Sequence, residues 1–200
     1  MGEDITAGSS AAPKTLVRKE MLAKRRALDE SDRAKRSAKI CESFLNSGEY
    51  AKASSILLYK AYNNEVDTDM IFKKAVADGK TVAYPISRIT DGEPELTFYV
   101  ITDHDQLTKG YKGIPEPDPQ KAGGVVCGSA DVCITPMVAF SKSCQRIGYG
   151  KAFYDRYIRL NTPKSVIGVA YDIQMADGWA SEESDRAVDM VITDTMVYIK

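Results

Sequence analysis

Apolar residues recur along this chain with two periods, and the alternation between them predicts its elements. In "KTLVRKEMLAKRRAL" (14–28) helix formers dominate and neither Gly nor Pro intervenes after Pro13, which predicts a helix. Ala34, Ala38, Cys41 and Leu45 then recur at helical spacing, with Ser31 as the expected N-cap and Gly48 as the expected C-terminal stop. "SSILLYKAY" (54–62) reads as a buried strand. Thr68 is the expected cap of a short helix carrying Ile71, Phe72, Ala75 and Val76, which Gly79 closes. "TVAYPI" (81–86), "ELTFYVI" (95–101), "DVCITPMVAF" (131–140), "SVIGVAYD" (165–172) and "DMVITDTMVYI" (189–199) read as further strands. Residues 103–128, rich in Gly, Pro and charge, read as loop.

Strands alternating with helical segments predict an α/β sheet covered by helices on both faces. No internal repeat or boundary divides it, so residues 13–200 are expected to form a single domain behind a mobile tail, 1–12. Ligands of such a sheet sit outside the carboxyl ends of its strands. The expected rim is therefore 63–68, 87–94, 141–152 and 172–185.

Composition narrows the function. Of 200 residues, 44% are hydrophobic and 28% charged, as in ordinary globular proteins. Lys and Arg number 27 against 28 Asp and Glu, so a net charge near −1 offers no global field for nucleic acid or anionic lipid. No apolar run reaches the roughly 18 residues of a membrane helix. Cys41, Cys127, Cys133 and Cys144 form no CxxC pair and read as buried or neutral thiols of a reducing, cytoplasmic compartment. The one histidine, His104, lies between two aspartates and is expected at the surface.

The densest chemistry is "RIGYGKAFYDRY" (146–157). Gly148 and Gly150 permit a sharp turn into a helix whose first N–H groups can face an anion. Arg146 and Lys151 add positive charge there, and Asp155 is a carboxylate suited to Mg²⁺. The stretch is neither a Walker A loop nor GxGxxG. Its residues alone leave two readings open: a phosphate site, or a structural turn with Asp155 paired to an arginine. Lys14 and Arg18, four apart, share a helix face that suits a triphosphate or is simply solvated, as expected for Lys19, Lys24, Arg25 and Arg26.

"KTLVRKEMLAKRRAL", "NNEVDT" (63–68), "KGIPEP" (112–117), "DVCITPMVAF" and "RIGYGKAFYDRY", in this order and spacing, resemble the 5-formyltetrahydrofolate cyclo-ligase (5,10-methenyltetrahydrofolate synthetase) family from about Lys14 to Asp194. The resemblance implies a three-layer α/β/α sandwich with a mostly parallel, Rossmann-like sheet. It also implies closure of 5-formyltetrahydrofolate to 5,10-methenyltetrahydrofolate, with ATP as co-substrate and Mg²⁺ as cofactor. By the same resemblance, Lys14, Arg18, Arg146, Gly148, Tyr149, Gly150, Lys151 and Tyr154 hold ATP, with Lys151 catalytic. Glu65, Tyr149, Gly150, Ala152 and Phe153 hold the reduced folate, Asp155 and Asp185 the metal. Asp189 is expected to support the last strand, and Gln174 matches the family without a derivable role. The expected partners are ATP and the folate, with no nucleic acid or membrane, and a monomer is favoured. A paralogue acting on another formylated or pterin-like compound, or a non-catalytic nucleotide- or folate-binding protein, is the alternative. Departures cluster on the folate side: Ala152 for a third glycine, Phe153 for tyrosine, Ile86 for arginine (with Arg88 near) and Met137 for glycine. Ser184 stands before the second metal aspartate in place of the usual residue.

Overall fold

The computed structural model describes residues 11–126, 128–180, 182 and 185–200. Helices α1 (Lys14–Ala27), α2 (Glu30–Leu45) and α3 (Gly48–Lys52) lead into β1 (Ser55–Leu57). Then come α4 (Asp69–Ala77) and strands β2 (Thr81–Thr90), β3 (Glu93–Val100), β4 (Leu107–Lys109), β5 (Pro115–Pro117), β6 (Val132–Pro136), β7 (Ala139–Phe140) and β8 (Arg146–Ile147). The chain finishes with α5 (Phe153–Asn161), β9 (Ser165–Val169), β10 (Met190–Ile192) and β11 (Val197–Ile199).

One seven-stranded sheet, ordered β11-β10-β9-β6-β1-β2-β3, organises these elements. Its inner pairs run parallel and each edge is closed by an antiparallel strand. Side chains alternate across it with the period of two that a strand imposes. Ile56, Val82 and Ile134 face Ile40 and Phe44 of α2 and Ile71 and Phe72 of α4. Leu57, Ala83 and Cys133 face the opposite layer, where Tyr157 of α5 packs. The expected mostly parallel sheet with helices on both faces is the observed one.

Several boundaries fall elsewhere than the pattern predicts. Asp29, not Ser31, caps α2, accepting from the Asp32 N–H at 2.7 Å. Gly48 opens α3 instead of stopping α2, because the Ser47 hydroxyl accepts from the Tyr50 N–H at 3.1 Å and starts a new helix. Thr68 precedes α4, but its hydroxyl donates to the Tyr59 carbonyl at 2.8 Å and caps nothing. Only Ser55–Leu57 of the 54–62 run joins the ladder; beyond it the chain leaves the sheet and carries Tyr62 to the rim. The 131–140 run breaks after Pro136, and Ala139–Phe140 pairs with Arg146–Ile147 instead.

The 87–94 segment is not rim. Asp91 (φ +53°) and Gly92 (φ +82°) make a two-residue turn that joins β2 to β3 as a hairpin. Nor is 103–128 all loop: β4 and β5 pair within it. Buried Glu116 pins it to β2, accepting from the Ser87 N–H at 3.0 Å and the Tyr111 N–H at 3.1 Å. His104 is only partly at the surface: its ring stacks on Phe72 at 4.2 Å between centroids and its Nε2 lies 3.2 Å from the Tyr84 hydroxyl. Tyr84, in turn, is core. The last residue of the expected tail is anchored, the Ala12 N–H donating to the Gly178 carbonyl at 2.8 Å; residues 1–10 lie outside the described ones. Cys41, Cys133 and Cys144 are free and buried, and burial pushes the Cys41 and Cys133 thiols up to about 12; Cys127 lies outside the described residues. Among these residues no helix is long and apolar enough to cross a membrane.

Candidate active site

Helix α1 supplies the first wall. At 3.6 residues per turn, Lys14, Arg18 and Arg25 fall within about 40° of one another, on the face that also carries Val17 and Met21. That face is buried against the segment leaving β6, including Val138, Ala139 and Ile147. Arg25 is therefore not solvated as expected: it is 1% exposed. Its Nη1 donates to the Met137 carbonyl at 3.3 Å, and its Nη2 donates to the Asn63 carbonyl at 2.8 Å and the Tyr149 hydroxyl at 2.5 Å. Lys19, Lys24 and Arg26 are exposed, as expected.

The second wall is the glycine-rich loop after β8. Arg18 Nε donates to the Gly148 carbonyl at 2.8 Å, tying the loop to α1. Gly150 has φ +84°, where a side chain is strained, so this position needs glycine. Ala152 also adopts left-handed backbone, φ +53°, at a cost of about 1 kcal/mol. It opens α5 without a side-chain cap, leaving first-turn N–H groups directed at whatever occupies the rim. Asp155, in that first turn, accepts from Arg146 Nη2 at 2.8 Å and from the Arg186 N–H at 3.4 Å. Of the two open readings, the structural one holds in that Asp155 is paired to an arginine, and the helix start beside it carries no side-chain cap. Arg146 is 6% exposed, so it supports Asp155 from beneath and does not face solvent.

Asp185 closes the rim from the other side. Both its oxygens accept from Lys14 Nζ, at 2.6 and 2.8 Å, and Glu182 stands 3.0 Å from the same nitrogen. Burial opposes the Lys14 charge, but hydrogen bonds and attraction from Asp185 and Glu182 prevail and raise its pKa. Ser184 lies outside the described residues.

Glu65 forms the floor. Its Oε1 accepts from the Tyr149 hydroxyl at 2.7 Å and its Oε2 from the Tyr62 N–H at 2.8 Å. Burial pushes its carboxyl up, while the hydrogen bonds from Tyr149 and Tyr62 and the Arg25 charge pull the other way. Glu65 lines a cleft of about 270 Å³ shared with Arg33, Ser37, Tyr62, Asn63 and Tyr171. A separate cleft of about 230 Å³, between β3 and α5, holds none of the candidate residues.

Of the candidates, Lys14 meets Asp185, Arg18 meets Gly148, Arg146 meets Asp155 and Tyr149 meets Glu65, all on segments that follow the carboxyl ends of β1, β6 and β9 or on α1. Lys151 is exposed and enters none of these pairs. Phe153 and Tyr154 pack against the Leu57–Ala83–Cys133 layer, Phe153 meeting the Tyr111 ring edge-on at 5.9 Å. Burial lifts the Tyr154 phenol well above its usual pKa. Sequence reasoning missed Arg25, although its spacing from Val17 and Met21 placed it on the buried face. Gln174 gains a role: its Nε2 donates to the Met137 and Val138 carbonyls at 2.9 and 3.0 Å, holding the strand break after β6. Asp189 accepts from the Val166 N–H at 2.7 Å and supports the last strands, as expected.

The donor set fits magnesium held with a nucleotide. Asp155 and Asp185 offer hard carboxylate oxygens on one rim, linked through the Arg186 N–H. Among the described residues no cluster of three or more His, Cys, Asp or Glu forms a cage. Magnesium is usually bound by one or two carboxylates together with phosphate oxygens, so two suffice.

Known proteins resemble this chain over nearly the full length. A protein of Mycoplasma pneumoniae named 5-formyltetrahydrofolate cyclo-ligase is 30% identical over 186 residues, covering 90% of this chain and 98% of that one. A probable 5-formyltetrahydrofolate cyclo-ligase of Caenorhabditis elegans is 27% identical, covering 82% and 84%. The solved 5,10-methenyltetrahydrofolate synthetase of Aquifex aeolicus superposes with a TM-score of 0.79 at 28% identity, over 93% of this chain and 92% of that one. With the profile of the 5-formyltetrahydrofolate cyclo-ligase family matching residues 10–194, this chain belongs to that family.

Proposed function

We propose that the rim carries out the ATP- and Mg²⁺-dependent closure of 5-formyltetrahydrofolate to 5,10-methenyltetrahydrofolate, releasing ADP and phosphate. The observation that supports this best is a set of paired contacts gathered at one end of the sheet. It brings together two α1 cations, two rim carboxylates and a half-buried carboxylate from segments far apart in sequence.

In this reading Lys14, Arg18 and the free N–H groups at the start of α5 hold the triphosphate. Gly148, Tyr149 and Gly150 shape the loop around it, Arg146 braces Asp155, and Tyr154 anchors the loop to the apolar layer. Asp155 and Asp185 hold Mg²⁺, which neutralises phosphate charge when bound. Glu65 accepts the adjacent N–H and amino donors of a pterin, with Tyr149, Gly150, Ala152 and Phe153 along the folate. Phe153 lacks a hydroxyl, so that contact is apolar.

The formyl oxygen attacks the γ-phosphorus and ADP departs. N10 then closes on the activated carbon, loses its proton, and phosphate leaves. The attacking oxygen carries no proton, so no general base is needed in the first step. Lys151, a flexible charge with no ion pair among the described residues, follows the γ-phosphoryl group as its charge moves. The test is to mix the protein with 5-formyltetrahydrofolate and MgATP and follow methenyltetrahydrofolate absorbance alongside ADP. Coupled appearance of both is expected; nucleotide binding with neither product overturns the reading.

A further inference from the structure

Arg25 is a guanidinium almost fully removed from solvent, and the functional reading gives it nothing to do. Its contacts are unusual for a structural arginine. No carboxylate pairs with it directly, and Nε has no hydrogen-bond partner among the described residues. Burying such a charge unpaired is costly, so its surroundings must repay it. Two carbonyls, from Met137 and Asn63, fix its position, and the remaining donor reaches the Tyr149 hydroxyl at 2.5 Å. That hydroxyl can donate only one proton, and it donates it to Glu65 Oε1 at 2.7 Å. Arg25 therefore reaches Glu65 through a relay whose direction is set: guanidinium to phenol to carboxylate.

Resting on the reading that Glu65 receives the pterin, we propose that Arg25 is a positioning residue for the folate. Through Tyr149 it keeps Glu65 ionised and aims its free acceptor capacity into the cleft. A pterin's N–H and amino donors require an acceptor-only carboxylate; a protonated one presents a competing O–H. Other groups around Glu65 do not replace this charge. The Tyr59 and Tyr154 phenols are held protonated by burial. Tyr171 donates to the Glu65 backbone carbonyl at 3.1 Å, and Tyr62 gives only its N–H. In the adjoining cleft Glu30 and Asp67 oppose Arg33, which is engaged with the Leu28 carbonyl at 2.6 Å.

The relay makes the acid limb of folate binding its readout. With Arg25 present, Glu65 stays ionised to lower pH; without it, protonation sets in at higher pH and folate affinity falls there first. In Arg25→Met the KM for 5-formyltetrahydrofolate should rise about 10-fold, with the KM for ATP within twofold. The acid limb of kcat/KM for the folate should move up by at least about half a pH unit. Arg25→Lys, which keeps the charge, should hold that limb near the wild-type position. Should Arg25→Met fail to fold, Arg25→Gln keeps amide donors for the Asn63 and Met137 carbonyls and removes the charge, and the same upward shift is expected. A folded variant whose acid limb does not move, or whose ATP and folate constants rise together, overturns the proposal. Wild-type protein without turnover overturns the functional reading and this one with it, whereas wild-type turnover with unmoved variants overturns this one alone.

Discussion

The two ends of the central sheet satisfy their carboxylates in opposite ways. At the amino ends of β1, β6 and β9, Asp131 accepts from the backbone N–H groups of Ser54 and Ser55, at 2.8 and 3.0 Å, and from Lys164 at 2.7 Å. At the carboxyl ends, Asp155, Asp185 and Glu65 each accept one loop N–H, of Arg186, Glu182 and Tyr62, and otherwise the side chains of Arg146, Lys14 and Tyr149. Donors at the strand starts cannot leave without unravelling the strands. Lysine can pivot to another anion at the cost of a partly solvated ion pair, a small change in free energy. One end is stapled and the other is exchangeable, and only exchangeable contacts can be traded for a substrate.

That contrast predicts that substitutions at the two ends will separate rate from stability. The largest effect is expected at the exposed loop: Lys151→Ala should lower kcat about 100-fold, as loss of a charge that stabilises the transition state does, with the melting temperature almost unchanged. Stopped-flow absorbance of the methenyl product and a thermal melt would check it. Asp131→Asn should do the reverse, losing about 1–2 kcal/mol in urea unfolding at pH 7 while turnover per folded molecule stays at the wild-type value. Lys164 and the strand N–H groups hold the Asp131 carboxyl well below the usual carboxylate range. Its stabilisation is therefore full above pH ~4, where the unfolded carboxyl is ionised, and fades as pH falls. Wild type and Asp131→Asn should converge in acid. The smallest effect belongs to Ala152→Gly, which relieves left-handed strain and should stabilise by no more than about 1 kcal/mol, seen as a slightly raised denaturant midpoint.

The inner strands and the glycine loop were legible because each depends on local information. Ile56, Leu57, Val82 and Ile134 announce burial on both sheet faces, and Gly150 announces a backbone that other residues resist. What stayed hidden depends on partners distant in sequence. Arg25 looks like one of several solvated cations until Asn63, Met137 and Tyr149 arrive around it. His104 looks exposed between aspartates until Phe72 supplies a ring to stack on. Asp91-Gly92 was a readable hairpin signal, and its neighbours' polarity obscured it. Met137, which departs from the family's glycine, is accommodated by Gly168: a Cβ there would come within 1.9 Å of the Met137 Cε. The two positions are 31 residues apart along the chain, so their fit leaves no local trace.

The pairing of Lys14 with Asp185 spans 171 residues, close to the whole length of the chain. During synthesis from the amino end, α1 can fold early, but its lysine meets neither Glu182 nor Asp185 until that late segment has left the ribosome. The first cation of the rim is thus among the last to be given its partner. Any product truncated before residue 185 carries both α1 cations and lacks one of the two rim carboxylates.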